Sequence, residues 1–552
     1  MSYTVSDYLL DRLAEQGVTE IFGVPGDFNL QFLDHIVEHK NISWVGSANE
    51  LNAGYSADGY SRVRGLGALV TTYGVGELSA INAIAGSYAE HVPVVHIVGA
   101  PSKENQANHL KMHHTLGDGD FSHFMRMAQE VSCAVADLDH ATATAEIDRV
   151  IREVIIRRRP GYLLLSTDVA RVETTPPQEP LQTDVALSSE GAQKAFRMAL
   201  KEVIAGKEVS VLADLLVHRM GAREQLNNLL KETGFPHATL MWGKTLVDES
   251  DAQFAGVYAG VVSDHRTRDA IENTEVLISA GVEFTDSTTA GFSQKLPQNT
   301  VHIRPQSSRI GNEVFTPLTI KTALEIVLDV AREYGAKPYP LQKEAEQQSQ
   351  KIDMSAPLTQ DILWDLLSGE LTPGNIVVAD QGTSFFGMAN RKFPESSMFI
   401  GQPLWGSIGY SLPAMLGASI ADRESRGILL VGDGSAQLTI QEIGTMLREK
   451  INPVIILINN DGYTVERAIH GPQQPYNDIH RYQWDLIPAA FGAGKDDVLL
   501  FKVQTAQELL DACRITNETR DRMVFMEIIM DKDDVPQLLN DVAKALARAN
   551  SQ

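Results

Sequence analysis

The sequence predicts an α/β protein of three domains, each a doubly wound parallel sheet. Three observations carry that reading. Short runs such as "ALVTTY", "VPVVHIVGA", "EVSVLA", "EVLISAGV", "GNIVVAD", "RGILLVGDG" and "NPVIILINN" are apolar on both faces, as strands covered on both sides must be. Amphipathic stretches of helical spacing separate these runs, as crossover connections require. Two polar breaks bearing proline, residues 174–190 ("TTPPQEPLQTDVALSSE") and 335–359 ("GAKPYPLQKEAEQQSQKIDMSAPLT"), divide the chain. The domains then fall near 1–180, 190–340 and 355–552, and a length of 552 residues is too great for one core.

From the N-terminus, "MSYTVSDYLLDRLAEQGV" has no basic region followed by an apolar one, so it does not read as a secretory signal. It reads as a helix with Ser6 or Asp7 near its cap and Tyr8, Leu9 and Leu13 on one face. No apolar run approaches the length that spans a bilayer. A net charge of −24 argues against nucleic acid or an anionic membrane as a standing partner. Two cysteines, Cys133 and Cys513, exclude a disulfide scaffold and a cysteine-based metal site. These features predict a soluble, cytoplasmic protein.

In the last domain the run "GILLVGDGSAQL" sets Asp433 at the centre of a glycine-rich turn. Such turns usually cradle phosphate, which a carboxylate would repel. A second run, "NPVIILINNDGYTVE", ends in Asn459, Asn460, Asp461 and Gly462. A carboxylate, an amide oxygen and a backbone carbonyl are hard oxygen ligands suited to Mg²⁺, which keeps water and substrate phosphates as its other ligands. Asp433 is then tolerated because it faces a cation, and the cation faces a diphosphate. Gly432 and Gly434 let the backbone come close, and Ser435 adds a hydroxyl at the start of the next helix.

The stretch "GDGSAQLTIQEIGTMLREKINPVIILINNDGYTVE" resembles the diphosphate-binding motif of thiamine diphosphate enzymes, GDG followed by NN. The resemblance extends through "FGVPGDFNLQFLD", "ANELNAGYSADGY", "GVGELSAINAIAGSYAEHVPV", "HHTLGDGDF" and "GQPLWGSIGYS". Together these motifs look like the 2-oxoacid decarboxylases acting on indolepyruvate, phenylpyruvate and branched-chain 2-oxoacids, relatives of pyruvate decarboxylase. The resemblance implies a pyrimidine-binding domain, a middle domain and a diphosphate-binding domain. The cofactor then lies between the first domain of one subunit and the last of another, in a homodimer at least and commonly in a homotetramer.

The chemistry so implied is non-oxidative decarboxylation to aldehyde and CO₂ through a cofactor ylid and enamine, with the thiazolium as electron sink. Glu50 in "ANEL" matches the glutamate bonded to the pyrimidine N1′. Gly406 and Ile408 in "WGSIGY" match the backbone contact to the 4′-amino group and the apolar prop that bends the cofactor. Asp27, His113, His114 and Glu466 match the acid–base set that moves protons at the reacting carbon. Asp433, Asn460 and the Gly462 carbonyl match the Mg²⁺ ligands.

For the substrate pocket, Gln381, Phe385, Phe386 and Val465 match wall positions, and Val542 and Leu546 match the inner face of a C-terminal lid helix. The lid residues are modest aliphatics, which favours substrates bulkier than pyruvate. Three other readings compete, one of them a non-catalytic paralogue retaining only the fold, which would be expected to lose the acid–base set that is present here. Synthase-like carboligases, such as acetolactate synthase, share the diphosphate motif, but the tandem His113–His114 with Asp27 looks like the aldehyde-releasing branch. A nucleotide-binding regulatory protein would need "GVGELS" at 74–79 as a phosphate loop, and that segment lacks a third glycine and a Lys-Ser/Thr ending.

Overall fold

A computed structural model describes residues 2–183, 188–343 and 352–550, with side chains of the final helix as far as Ala547. Parts of both predicted breaks, 184–187 and 344–351, lie outside the described residues. The apolar runs named above all form strands, and they assemble into three sheets.

The first sheet contains β1 (Glu20–Gly23), β2 (Ser43–Gly46), β3 (Gly67–Thr72), β4 (Val94–Ala100), β5 (Ala134–Asp137) and β6 (Gly161–Ser166). Its order is β2-β1-β3-β4-β6-β5, parallel throughout. Every residue of β3, β4 and β6 is buried, which is why these strands carry no polar alternation.

The second sheet is built on β7 (Glu208–Ala213), β8 (His237–Thr239), β9 (Phe254–Val257), β10 (Val276–Ala280) and β11 (Thr300–Ile303), followed by β12 (Ser308–Ile310), β13 (Glu313–Phe315) and the short β14 (Lys337–Pro338). It departs from the all-parallel expectation. The pairs β11/β12 and β12/β13 are antiparallel, which makes the sheet mixed. The reason is the connection length: only Gly311 and Asn312 join β12 to β13, enough for a hairpin and far too few for a crossover helix. Gly311 supplies the positive φ (56°) that the turn requires.

The third sheet holds β15 (Ile376–Ala379), β16 (Met398–Ile400), β17 (Gly427–Gly432), β18 (Val454–Asn459), β19 (Val498–Val503) and β20 (Met523–Ile529). Its order, β16-β15-β17-β18-β20-β19, repeats that of the first sheet strand for strand, again all parallel. The outer domains therefore share one topology, and each has its switch point beside its first strand, where the chain turns from one direction of sheet growth to the other.

The first helix, Val5–Glu15, buries Tyr8, Leu9 and Leu13 as its spacing predicts, but it starts earlier than expected. Thr4 is the cap residue, and its N–H and hydroxyl donate to Asp7 Oδ2 at 2.7 and 2.8 Å. Ser6 lies inside the helix and donates to the Ala170 carbonyl at 2.9 Å. Both cysteines are free. Among the described residues, no helix is long and apolar enough to cross a membrane.

The outer domains meet through two helices, Glu50–Arg64 and Ser411–Ala421, which are buried over most of their length. Small residues make the closeness possible. A Cβ on Gly59 would collide with the Ala414 carbonyl, and one on Gly417 with the carbonyl of Ser56. Around this seam, buried Asp58 accepts from Arg62 Nε at 2.7 Å and from the Tyr410 hydroxyl at 2.6 Å. Arg62 Nη1 donates to the Gly401 carbonyl at 3.0 Å. The middle domain joins at Glu90, whose buried carboxylate accepts from Trp242 Nε1 (2.6 Å) and from the backbone N–H groups of Leu404 (3.0 Å) and Trp405 (3.2 Å). One carboxylate thus ties all three domains.

The helix seam yields a stability prediction. Gly417→Ala would gain about 1 kcal/mol of helix propensity, yet it must push apart two helix backbones, at a cost of about 1–3 kcal/mol or more. Thermal unfolding of the variant is expected below the wild-type temperature. An unchanged or higher melting temperature would contradict the close contact.

Candidate active site

The two like sheets bring the singled-out residues to the same kind of place, the carboxyl ends of parallel strands. Asp27 follows β1, Glu50 follows β2, and His113 and His114 lie in the segment after β4. Gln381 follows β15, Gly406 and Ile408 follow β16, Asp433 directly follows β17, and Asn460 and Gly462 follow β18, with Val465 and Glu466 in the helix beyond. Only Val542 and Leu546 come from elsewhere, the final helix Gln537–Asn550.

Asp433 is 2% exposed. Oδ1 accepts from the Gly434 N–H at 2.8 Å and Oδ2 from the Gly462 N–H at 3.2 Å. Burial nevertheless dominates and pushes its carboxyl up to about 6. One terminal atom of the Asn460 amide lies 3.1 Å from both Asp433 Oδ1 and the Gly462 carbonyl oxygen, and the other lies 3.0 Å from Thr464 Oγ1. With nitrogen inward, the amide donates to both acceptors. With oxygen inward, three oxygens converge with no hydrogen between them. That donor set fits a hard divalent cation, which would take the carboxylate, the amide oxygen and the carbonyl.

The glycines of this turn differ in what they do. Gly462 has φ +117°, and a Cβ there would strike the Asn477 carbonyl. A Cβ on Gly434 would come within 2.7 Å of the Tyr463 ring, while Gly432 faces open space. Ser435 is buried, and its hydroxyl bonds to Asp380.

In the first domain, Asp27 and His113 meet at 2.6 Å (Oδ2 to Nε2), and His114 Nε2 stands 3.9 Å from Asp27 Oδ1. Asp27, His113 and His114 form a tight cluster of ligand-type groups, unique among the described residues. Phe28 stacks on His113 with ring centroids 4.8 Å apart. The side chains of Asp27 and His113 are about half exposed, at 49% and 56%. Glu466 is exposed and does not join the cluster within one chain. Glu50 opens its helix, capped by Asn49, and its Oε1 would lie 3.2 Å from a Cβ on Gly76.

Sequence reasoning missed two buried carboxylates that support these groups. Asp380 is 2% exposed and accepts from Gly409 N (3.2 Å), Ser411 N (3.1 Å) and Ser411 Oγ (2.6 Å), fixing the turn that carries Gly406 and Ile408. Its signal was available: "IVVAD" ends an apolar run in aspartate as "LLVGD" does. Glu77 accepts from Gly74 N and from the Tyr162 hydroxyl, both at 2.8 Å. Gly74 (φ 65°, ψ −88°) lies against the His114 carbonyl, where no Cβ would fit, and His114 itself has φ 61°. Glu77 thus holds the strained turn on which His114 rests.

The apolar wall residues gather in one cluster. Phe385 and Phe386 are buried with perpendicular rings 5.7 Å apart, and Val542 (1% exposed) joins them with half-buried Val465 and Leu546. A Cβ on Gly382 would lie 3.3 Å from Val465 Cγ2, and one on Gly406 would lie 3.9 Å from Gln381 Cγ. Gln381 Oε1 is buried without a partner, an acceptor available to a ligand's donor.

Two sheets of one topology, with an oxygen triad at the strand ends of one and an acid–base cluster at the strand ends of the other, define a cofactor-dependent α/β enzyme. The chain belongs to the thiamine pyrophosphate enzyme family. It matches the N-terminal TPP binding domain over residues 3–124, the central domain over 197–332 and the C-terminal TPP binding domain over 380–528. It is 54% identical over 547 residues to an alpha-keto-acid decarboxylase of Mycobacterium tuberculosis (strain H37Rv), covering 99% of this chain and 97% of that one. Proteins of the same name from Mycobacterium leprae (54% over 552 residues, 99% and 96% covered) and Mycobacterium avium (53% over 545 residues, 98% and 96% covered) are similarly related.

Glu77 gives this site a pH signature. Burial raises its carboxyl to about 7, so between its usual range and that value the folded chain holds a proton that the unfolded chain has lost. Stability tied to Glu77 is therefore present at low pH and is lost as pH rises toward about 7. Glu77→Gln cannot titrate, so relative to wild type it should gain up to about 3 kcal/mol between pH ~4 and ~8. Chemical denaturation across that range checks this, and a difference independent of pH would contradict it.

Proposed function

We propose that the protein decarboxylates bulky aliphatic or aromatic 2-oxoacids, releasing the aldehyde and CO₂, with thiamine diphosphate and Mg²⁺ as cofactors. The observation that carries this reading is the oxygen triad of Asp433, Asn460 and Gly462 at the ends of neighbouring buried strands, in a chain of this family. When bound, thiamine diphosphate supplies an electron sink that no side chain offers. The protein's residues bind, orient and move protons around it.

In this reading Asp433, Asn460 and the Gly462 carbonyl hold Mg²⁺, and the open face of Gly432 with Gly434 receives the diphosphate. Glu50 would hold the pyrimidine ring and supply a carboxylate for proton transfer there, and the backbone of Gly406 and the side chain of Ile408 would position the cofactor. Asp27, His113, His114 and Glu466 move protons at the reacting carbon, and Gln381 lies near the substrate carboxylate. Strong donors and acceptors in such a set contribute roughly 10²–10⁴-fold each. The half-exposure of Asp27 and His113 and the incomplete burial of Glu50 within one chain support a site completed by a second subunit. So does the exposed apolar surface at Val75, Leu78, Leu404, Trp405 and Leu438, on loops and helices adjoining the site. We propose a homodimer with sites between subunits, pairing into a tetramer.

The preference for bulky side chains rests on Val542 and Leu546. They lie four residues apart, one turn along the same face, and they share a cluster with Phe386 and Val465. The test is kcat/KM for CO₂ release from pyruvate, 2-oxoisovalerate, 2-oxoisocaproate, phenylpyruvate and indolepyruvate, in wild type and in Val542→Phe. Bulky substrates should be preferred by wild type. In the variant their kcat/KM should fall about 10–200-fold further than that of pyruvate, the range of about 1–3 kcal/mol for such steric contacts. Equal losses across the panel with a lowered melting temperature would mean that Val542 only packs the core. CO₂ release whose acyl product is joined to an added acceptor aldehyde, instead of leaving as free aldehyde, would favour a carboligase.

A further inference from the structure

Directly behind the cation turn lies a buried arginine. Arg467, on the helix Thr464–His470, is 4% exposed. A single nitrogen, Nη2, donates to the Asp461 carbonyl (2.7 Å), to the Asn477 carbonyl (3.3 Å) and to Asp478 Oδ1 (2.8 Å). Nε and Nη1 are buried with no partner. A guanidinium with two orphaned nitrogens is a poor stabiliser by itself, so its retention calls for another reason.

The reason lies in the peptide between Asp461 and Gly462. Its carbonyl accepts from Arg467, and its N–H donates to Asp433 Oδ2 at 3.2 Å. One peptide plane is therefore pinned at one end by a guanidinium and at the other by the buried carboxylate. The plane is flanked by positive φ on both sides, +117° at Gly462, which glycine tolerates, and +56° at Asp461, which a residue with a side chain seldom adopts. The following turn is fastened to the same place, because the Asn477 carbonyl also accepts from Tyr463 N at 2.9 Å. Freed from Arg467, this peptide could rotate toward ordinary dihedrals. Rotation would withdraw the Gly462 N–H from Asp433, so the carboxylate would lose the contact that fixes it beside Asn460 and the Gly462 carbonyl.

We infer that Arg467 is a positioning residue for the cation site: it holds the Asp461–Gly462 peptide so that Asp433, Asn460 and the Gly462 carbonyl present their oxygens together. This rests on the proposed Mg²⁺–thiamine diphosphate reading. It adds that the site's affinity depends on a residue touching neither the metal nor the cofactor. Partners that orient metal ligands in this way typically matter 10–100-fold in metal affinity.

The test uses the full-length apoprotein and two readouts, the Mg²⁺ half-saturation for thiamine diphosphate binding, followed by quenching of intrinsic fluorescence, and the melting temperature without metal. Arg467→Met should raise the half-saturation roughly 10–100-fold. Arg467→Lys, which retains one donor, should fall between wild type and Arg467→Met. A wild-type half-saturation in Arg467→Met, whatever its melting temperature, would overturn the inference by reducing Arg467 to a structural brace. If Arg467→Met does not fold, Arg467→Lys decides: a rise of about threefold or more supports the inference, and a wild-type value overturns it. Asp433→Ala separates the two levels of the account. Normal Mg²⁺-dependent binding in that variant would sink the cation reading itself. Loss of binding there with none in Arg467→Met would sink only the inference about Arg467.

Discussion

The site is organised around a carboxylate buried where a carboxylate is least welcome. Holding Asp433 charged at neutral pH, when burial raises it to about 6, costs about 3 kcal/mol. Two backbone N–H groups reduce that cost without removing it, because both are shared with the demands of a tight turn. In the proposed reading a divalent cation offsets it. In that reading the requirement propagates outward: Asn460 turns an oxygen inward, and the peptide before Gly462, itself at positive φ, is held from behind by Arg467. The local geometry reads as a consequence of one charge.

The larger architecture delivers that turn to its partners. Both outer sheets are parallel throughout, so the loops bearing the candidate site residues of both domains lie at carboxyl ends. The glycine-lined seam between the helices Glu50–Arg64 and Ser411–Ala421 fixes the two domains relative to each other. It does so from the same helix that begins with Glu50 and close to the turn bearing Gly406 and Ile408. Glu90 then joins the middle domain to this pair through Trp242, Leu404 and Trp405. Catalytic groups and domain contacts are thus built from shared elements, and a change at the seam would be felt at the site.

Much of this was legible in the sequence. Strands buried on both faces announce themselves by unbroken apolar runs, and the runs ending in "VGDG" and "INND" pointed to the oxygen triad because each places polar atoms at the end of a dry strand. The antiparallel edge of the middle sheet was missed because "SRIGNEVF" is short and half polar, and its hairpin depends on a two-residue turn rather than on periodicity. The first helix was started too late because Asp7 works as the acceptor of a cap supplied by Thr4. Asp380, Glu77 and Arg467 escaped notice for a common reason. Each acts by filling hydrogen-bonding needs of backbone that folds back upon it, and such needs exist only in three dimensions. The acid–base set was legible only through the family resemblance, since Asp27 lies far from His113 and His114 in the sequence; these three meet in space, and Glu466 does not join them within one chain.

The central claim is that the buried carboxylate of Asp433 is there to face a divalent cation that in turn holds the cofactor. The most direct measurement is calorimetric titration of thiamine diphosphate into the metal-free protein near neutral pH, with and without Mg²⁺. The account predicts negligible binding in the presence of a chelator and full binding once Mg²⁺ is in excess. Equal affinity with and without the metal would contradict it.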